Sequence, residues 1–222
     1  YPNRDEIAEA ADTVGKVREA VGPHVELLVE VHRRLAPVHA ISAAKQMEKY
    51  NPYWFEEPCP PDNIDAILEV KNNTTIPVVT GEAHYTRNGF REIFDKRAVD
   101  IINPDICNTG GILELTQIAA MAQPHYIAVS PHGYNSTSIG CAAAVHASAT
   151  IPNFLIYEYF VNVEDVCRNI TKGYLEPNNS YIELPTEPGL GIEIDETKLA
   201  NYPYAPFPPR NIRTVEDERL WH

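Results

Sequence analysis

The stretch Tyr53-Trp54-Phe55-Glu56-Glu57-Pro58 is a short apolar run that ends in two carboxylates and a proline. Two further apolar runs end in an acid, Val29-Glu30-Val31 and Val79-Thr80-Gly81-Glu82. Glu30, Glu56 and Glu82 recur at equal intervals. An acid closing each of three buried strands, one repeat apart, points to one shared site.

Outward from this stretch the chain alternates between strand and helix patterns. Asn3 is placed to cap a helix, and Asp5 in its first turn suits the helix dipole. Ile7, Ala11, Val14, Val17 and Val21 recur at helical spacing until Gly22-Pro23 stops them. Val25 to Val31 is almost wholly apolar, as a parallel strand buried on both faces should be. Pro37 opens a helix whose apolar side carries Ile41, Ala44 and Met47. Beyond the central stretch come a helix from Asp62 or Asn63, a strand over Ile76 to Thr80 and a helix marked by Phe90, Ile93 and Phe94. Val99 to Asn103 is a strand ending at Pro104-Asp105, and Gly110-Gly111 opens a helix over Ile112 to Ala122. Ile127 to Ser130 is a strand ending at Pro131-His132, Ser136 to Ala149 a helix of small residues, and Phe154 to Tyr157 a strand ending at Glu158.

Alternating β and α segments with short loops give a parallel sheet with right-handed crossovers. A polar residue at the C-terminal end of each strand is the signature of the active face of a TIM-type (β/α) barrel. A doubly wound sheet would carry a Gly-rich first turn, and none is seen. Six strands do not close an eight-stranded barrel. Tyr1-Pro2-Asn3 also has no initiator Met or signal peptide before it, so the reading expects a chain that starts mid-fold. Residues 1–160 are assigned to the barrel. Residues 161–222, dense in proline and aromatic residues, are assigned to a segment that wraps it with little regular structure.

The composition excludes some partners. The net charge is −13, with 31 acids against 18 Lys and Arg, and no basic cluster that would mark a nucleic-acid binder. No apolar run is long enough to span a bilayer. Four scattered cysteines without a CxxC pair read as thiols of a cytoplasmic enzyme.

Three unpaired carboxylates in one bowl would raise one another's pKa, and a divalent cation would resolve the conflict. Hard oxygen ligands suit Mg²⁺, or Mn²⁺, better than Zn²⁺. Glu57 alternates away from Glu56 and is given a supporting role. His32 shares a strand side with Glu30 and is a candidate acid or base. Asp105 bonded to one ring nitrogen of His132 would fix its tautomer and raise its basicity, which suits proton abstraction from carbon. Glu158 could bind the substrate's oxygens. His84, two residues past Glu82, is the remaining histidine of interest.

Trp54-Phe55-Glu56-Glu57-Pro58, Thr80-Gly81-Glu82, Pro104-Asp105 with Gly110-Gly111-Ile112, Pro131-His132 and the tail segment Pro188-Gly189-Leu190-Gly191-Ile192 together resemble the enolase superfamily, mandelate racemase subgroup. Val31-His32-Arg33-Arg34-Leu35, Glu56-Glu57-Pro58-Cys59-Pro60-Pro61 and Val99 to Asp105 make the chain most similar to the acid-sugar dehydratases, of galactonate or mannonate type. The resemblance implies the third to eighth strands of the barrel, without the first two strands and the N-terminal α+β capping domain. It implies Mg²⁺ on Glu30, Glu56 and Glu82. It implies that His132, paired with Asp105, takes the proton α to a sugar-acid carboxylate, and that the metal stabilises the ene-diolate. His32 would then help the 3-hydroxyl leave, Glu158 would contact the carboxylate end, and the product would be a 2-keto-3-deoxy acid. Homo-oligomers are common in the family. The alternatives are a racemase, epimerase or cycloisomerase of the superfamily, or a non-catalytic member. One departure bears on the choice. The family usually has Asp at the first ligand position, and Glu30 is longer by one methylene, a displacement of the kind that can cost about 10²-fold in rate.

Overall fold

The computed structural model describes residues 2–134 and 136–204. The first helix, α1 (Arg4–Val21), is set by a reciprocal cap. The Asn3 side chain accepts the backbone N–H groups of Asp5 and Glu6, and the Glu6 carboxylate takes the Asn3 N–H. Then follow β1 (Leu28–Glu30), α2 (Pro37–Met47), β2 (Trp54–Glu56), α3 (Ile64–Lys71), β3 (Val78–Thr80), α4 (Thr86–Lys96) and β4 (Ile101–Ile102). After them come the short α5 (Ile106–Thr109), α6 (Ile112–Ala122), β5 (Ala128–Val129) and α7 (Thr137–Ser148). Pro37 stands in the first turn of α2, and the Asn63 side chain caps α3. The sequence reading passed over α5, a single turn capped by the Asp105 carboxylate.

The five strands form one parallel sheet in chain order, β1-β2-β3-β4-β5. This is the α/β fold expected. Side chains alternate across it. Phe55, Val78, Ile102 and Val129 pack against the helices in a large core with Ile67, Phe90, Phe94, Leu115 and Ile118. Trp54, Val79 and Ile101 form a small cluster of their own, as the period of two requires for the opposite face.

The paired strands are two or three residues long, shorter than the apolar runs that contain them. Phe154 to Tyr157 occupies the sixth position without forming a full strand. It meets β5 at one bridge, Val129 with Phe154. The Leu155 N–H donates to the Val129 carbonyl (2.8 Å) and the Glu158 N–H to the Pro131 carbonyl (3.2 Å).

Equal spacing in sequence does not become equal register. Glu30 pairs with Glu56 across β1 and β2, but Glu56 pairs with Val79. Glu82 therefore lies past the end of its strand. The cause is the connecting unit. α3 has eight residues, whereas α2 has eleven and runs on into a 3-10 turn over 48–50.

The described part of the C-terminal segment is more regular than its prolines suggest. A 3-10 turn over Val161–Val163 leads into α8 (Glu164–Ile170), which contacts α7. β6 (Thr171–Lys172) is followed by the hairpin of β7 (Pro177–Asn178) and β8 (Tyr181–Ile182). β9 (Glu193–Ile194) pairs antiparallel with β6, and Asp195 caps α9 (Glu196–Leu199). Asn179 and Ser180 both have positive φ, which is what a two-residue hairpin turn needs. Pro206, Pro208 and Pro209 lie outside the described residues. No helix among the described residues is long and apolar enough to cross a membrane.

Candidate active site

Glu30, His32, Arg33, Trp54, Glu56, Glu82, Asn103, Asp105, His132, Tyr134 and Glu158 all line one cavity of about 1800 Å³ at the C-terminal ends of the strands. Every residue singled out from the sequence as catalytic or metal-binding is among them.

The acids are held differently. Glu56 ends β2 on the same face as Trp54. The Trp54 Nε1–H donates to one of its oxygens (2.9 Å) and the Asn103 Nδ2–H to the other (2.5 Å). Glu30 meets the Nδ1 of His32 at 3.1 Å. Glu82 reaches the bowl from beyond β3 through Gly81. At φ +153° this glycine brings the chain so close to β4 that a Cβ would stand 2.8 Å from the Asn103 nitrogen. One Glu82 oxygen pairs with the Arg33 guanidinium and the other lies 3.0 Å from His132 Nε2. Glu57 is fully buried. It accepts the Thr80 hydroxyl (2.6 Å), the Gly81 N–H (3.0 Å) and the Arg33 Nη1 (3.3 Å), and so ties the ends of three segments together.

These contacts explain the electrostatics. Burial pushes the Glu30 carboxyl up, the Glu82 charge adds to it against Arg33, and the result is about 7. Burial again, then the charges of Glu30, Glu158 and Glu82, raise Glu56 to about 8. Burial would also raise Glu82, but hydrogen bonds from His132 and Arg33 overcome it and hold the group at about 2. For His132, burial disfavours the imidazolium, yet Asp105, Glu82 and Glu158 prevail and lift it to about 10.

His132 Nδ1 is 2.7 Å from Asp105 Oδ2, and its Nε2 faces both Glu82 and, at 3.6 Å, Glu158. One parallel bridge makes the pair. Asp105 and His132 sit opposite each other as the ladder of β4 and β5 is extended past its last strand residues. The Gly133 N–H donates to Glu158 Oε2 (2.8 Å), and a Cβ on Gly133 would fall on the Glu158 carbonyl oxygen. His84 is buried against Phe90, with ring centres 5.6 Å apart, and is not among the cavity-lining residues.

Sequence reasoning gave no role to Arg33, Asn103, Trp54 or Tyr134. Trp54 and Asn103 were legible in principle, since each lies two residues before a chosen acid and strand alternation puts both on that acid's side. Arg33 was one of two basic residues straight after a strand end in a strongly acidic chain.

Among the described residues, no three His, Cys, Asp or Glu side chains are gathered closely enough to hold a metal ion as they stand. The donor set nevertheless suits a hard divalent cation. Glu56, buried, is pushed toward neutrality by desolvation and the Glu30 charge, and Glu30, more open to solvent, by desolvation and the Glu82 charge.

A family described as enolase C-terminal domain-like matches residues 2–198. The D-galactonate dehydratase family member RspA of Cellvibrio japonicus is 32% identical over 214 residues, 95% of this chain and 52% of that protein. A D-xylonate dehydratase of Haloferax volcanii is 34% identical over 190 residues, 86% of this chain and 46% of that protein. A crystal structure of a mandelate racemase/muconate lactonizing enzyme-like protein from Rubrobacter xylanophilus superposes with a TM-score of 0.87 at 37% identity, covering 92% of this chain and 52% of the other. The chain thus spans about half the length of the curated relatives it matches.

Proposed function

The chain belongs to the enolase C-terminal domain-like family, and from that premise we propose that it carries the proton-abstracting face of a Mg²⁺-dependent sugar-acid dehydratase. The observation that carries the reading is His132. Its Nδ1 is fixed on Asp105 and its Nε2 points into the acid-lined bowl. The names of the similar proteins, dehydratases of sugar acids, support the substrate class.

In this reading His132 Nε2 receives the proton α to the substrate carboxylate, and the Asp105 carboxylate holds the ring in that orientation. Mg²⁺ held by Glu30, Glu56 and Glu82 would neutralise the charge developing on the substrate carboxylate, and would take up the negative charge that now keeps His132 protonated. Trp54 and Asn103 fix the Glu56 carboxylate, so it cannot turn away from the bowl. His32, bonded to Glu30, delivers a proton to the departing 3-hydroxyl. Water leaves, and the enol becomes a 2-keto-3-deoxy acid. Glu158, steadied by the Gly133 N–H, contacts the carboxylate end. In this reading the barrel part of the chain supplies this face, and the described part of the C-terminal segment, residues 161–204, braces it through α8 against α7. Four free cysteines fit a cytoplasmic enzyme, and we place the working form among homo-oligomers.

The test is a product screen in D₂O with Mg²⁺ and a panel of aldonic and aldaric acids. A 2-keto acid from one or two substrates, lost in His132→Asn, is expected. Solvent deuterium at the α position without any keto acid would replace dehydration by racemisation or epimerisation. The absence of both signals would overturn the reading.

A further inference from the structure

We propose that Arg33 is the resident counter-ion of the acidic bowl, and that a divalent cation has to displace its guanidinium from Glu82 to be bound. The inference rests on the reading of Glu30, Glu56 and Glu82 as the cation's ligands, and concerns what stands in that cation's way.

Arg33 is not a surface arginine that happens to reach an acid. Its Nη1 bonds both Glu82 Oε1 and Glu57 Oε2, and its Nη2 meets His32 Nε2 at 3.3 Å. The backbone delivers it there. His32 and Arg33 have φ of 52° and 62°, two successive non-glycine residues in the left-handed region. The Arg33 N–H is anchored on the Glu57 carbonyl at 2.7 Å. Backbone in this sparsely populated region persists only where its surroundings enforce it, and such residues cluster at functional sites.

The three acids differ in what a metal would have to break. Glu56 is bonded by the neutral Trp54 and Asn103, and Glu30 by His32. Glu82 has both oxygens committed, one to Arg33 and one to His132. A histidine can give up its charge by losing a proton. A guanidinium cannot. Arg33 therefore leaves Glu82 only by moving, and the competition is between two cations for one carboxylate. Glu57 offers Arg33 a second anion to retreat to, so release from Glu82 need not strand its charge. The outcome is a bowl in which Glu82 and Glu57 are already compensated by Arg33, at the cost of affinity for the cation.

The experiment is Mn²⁺ and Mg²⁺ titration of the full chain and of Arg33→Met, followed calorimetrically. It is paired with NMR of arginine side-chain N–H signals in the unsubstituted protein, with the Arg33 signal assigned by its loss in Arg33→Lys. Arg33→Met is expected to bind the ion about tenfold tighter or more, since a like charge has left the site. The Arg33 signal of the unsubstituted protein is expected to move and broaden as metal is added. If metal binds with the Arg33 signal unmoved and Arg33→Met gains nothing, Arg33 is no competitor and the cation site stands without it. If neither protein binds metal while both are folded, the cation reading itself falls, and this inference with it. Should Arg33→Met not fold, the NMR titration decides alone: a shifted signal supports displacement, and binding without a shift overturns it.

Discussion

His132 is useful only if one ring nitrogen is occupied and the other is free to face substrate. Asp105 does the first, at 2.7 Å. We expect Asp105→Asn to slow α-proton exchange by about 10²–10⁴-fold, the span that a positioned acid or base contributes, while KM changes little. Deuterium incorporation followed by NMR measures it, and a rate within a few-fold of the original would remove Asp105 from the mechanism. The same scale holds a stability test. Asn103→Ala takes away the 2.5 Å donor to a buried Glu56 oxygen and leaves that oxygen unsatisfied. A loss of about 1–3 kcal/mol is expected in chemical denaturation. Individual residues were the most legible level of this chain. Acids and histidines at strand ends announce themselves by type. Asn103 did not announce itself by type, and only its place two residues before Asp105 at a strand end could have marked it. Arg33 did not either, because its aim depends on two left-handed backbone residues that no sequence pattern marks.

At the scale of elements, helix caps and breaks were readable because their chemistry is local. Asn3, Gly22 and Pro37 act where the sequence places them, and of Asp62 and Asn63 it is Asn63 that caps its helix. Register was not readable, because it depends on the length of the unit between two strands. The shorter α3 moved Glu82 off the end of β3, and only Gly81 lets it return. Gly133 sets a similar constraint between the end of β5 and the segment carrying Glu158. Gly133→Ala is expected to push that segment away, lower the melting temperature by several degrees and weaken substrate binding, because the Glu158 carboxylate loses its backbone donor. An unchanged melting temperature would mean that the two segments slide freely. A second contact between elements is pH-dependent. Glu48, in the 3-10 turn after α2, accepts the Thr75 N–H at 2.8 Å and the Thr74 hydroxyl at 3.2 Å just before β3. The Thr75 backbone bond holds its carboxyl below the ordinary 4.5. A depressed folded-state pKa gives a contribution present above 4.5 and lost as pH falls through the lower folded value. Above pH 4.5, Glu48→Gln should therefore lower the melting temperature slightly, and it should converge with the original protein as the pH falls, giving a flatter profile.

For the molecule as a whole, the net charge is −13, and the acids of that excess that cost most are the ones brought together at the strand ends. A large apolar core beneath the sheet has to hold that bowl together, and Phe55, Phe90 and Phe94 lie wholly or almost wholly buried in it. Carboxylates packed against one another store repulsion that a bound cation releases, so folding and cation binding should be linked. At a Mg²⁺ concentration about 100 times its dissociation constant, linkage adds about 2.7 kcal/mol to stability, which a thermal melt reads as a rise of several degrees. Sodium chloride at matched ionic strength should reproduce little of it, because screening reaches buried pairs poorly. Glu30→Gln separates the two halves of the argument. It removes one repelling charge while keeping an oxygen for His32, so the metal-free protein should melt no lower than the original and the Mg²⁺-dependent rise should shrink or vanish. A Glu30→Gln protein that keeps the full rise would show that Glu30, the residue standing where the family usually has aspartate, is not a ligand. The cation would then have to be held by Glu56 and Glu82 with other partners.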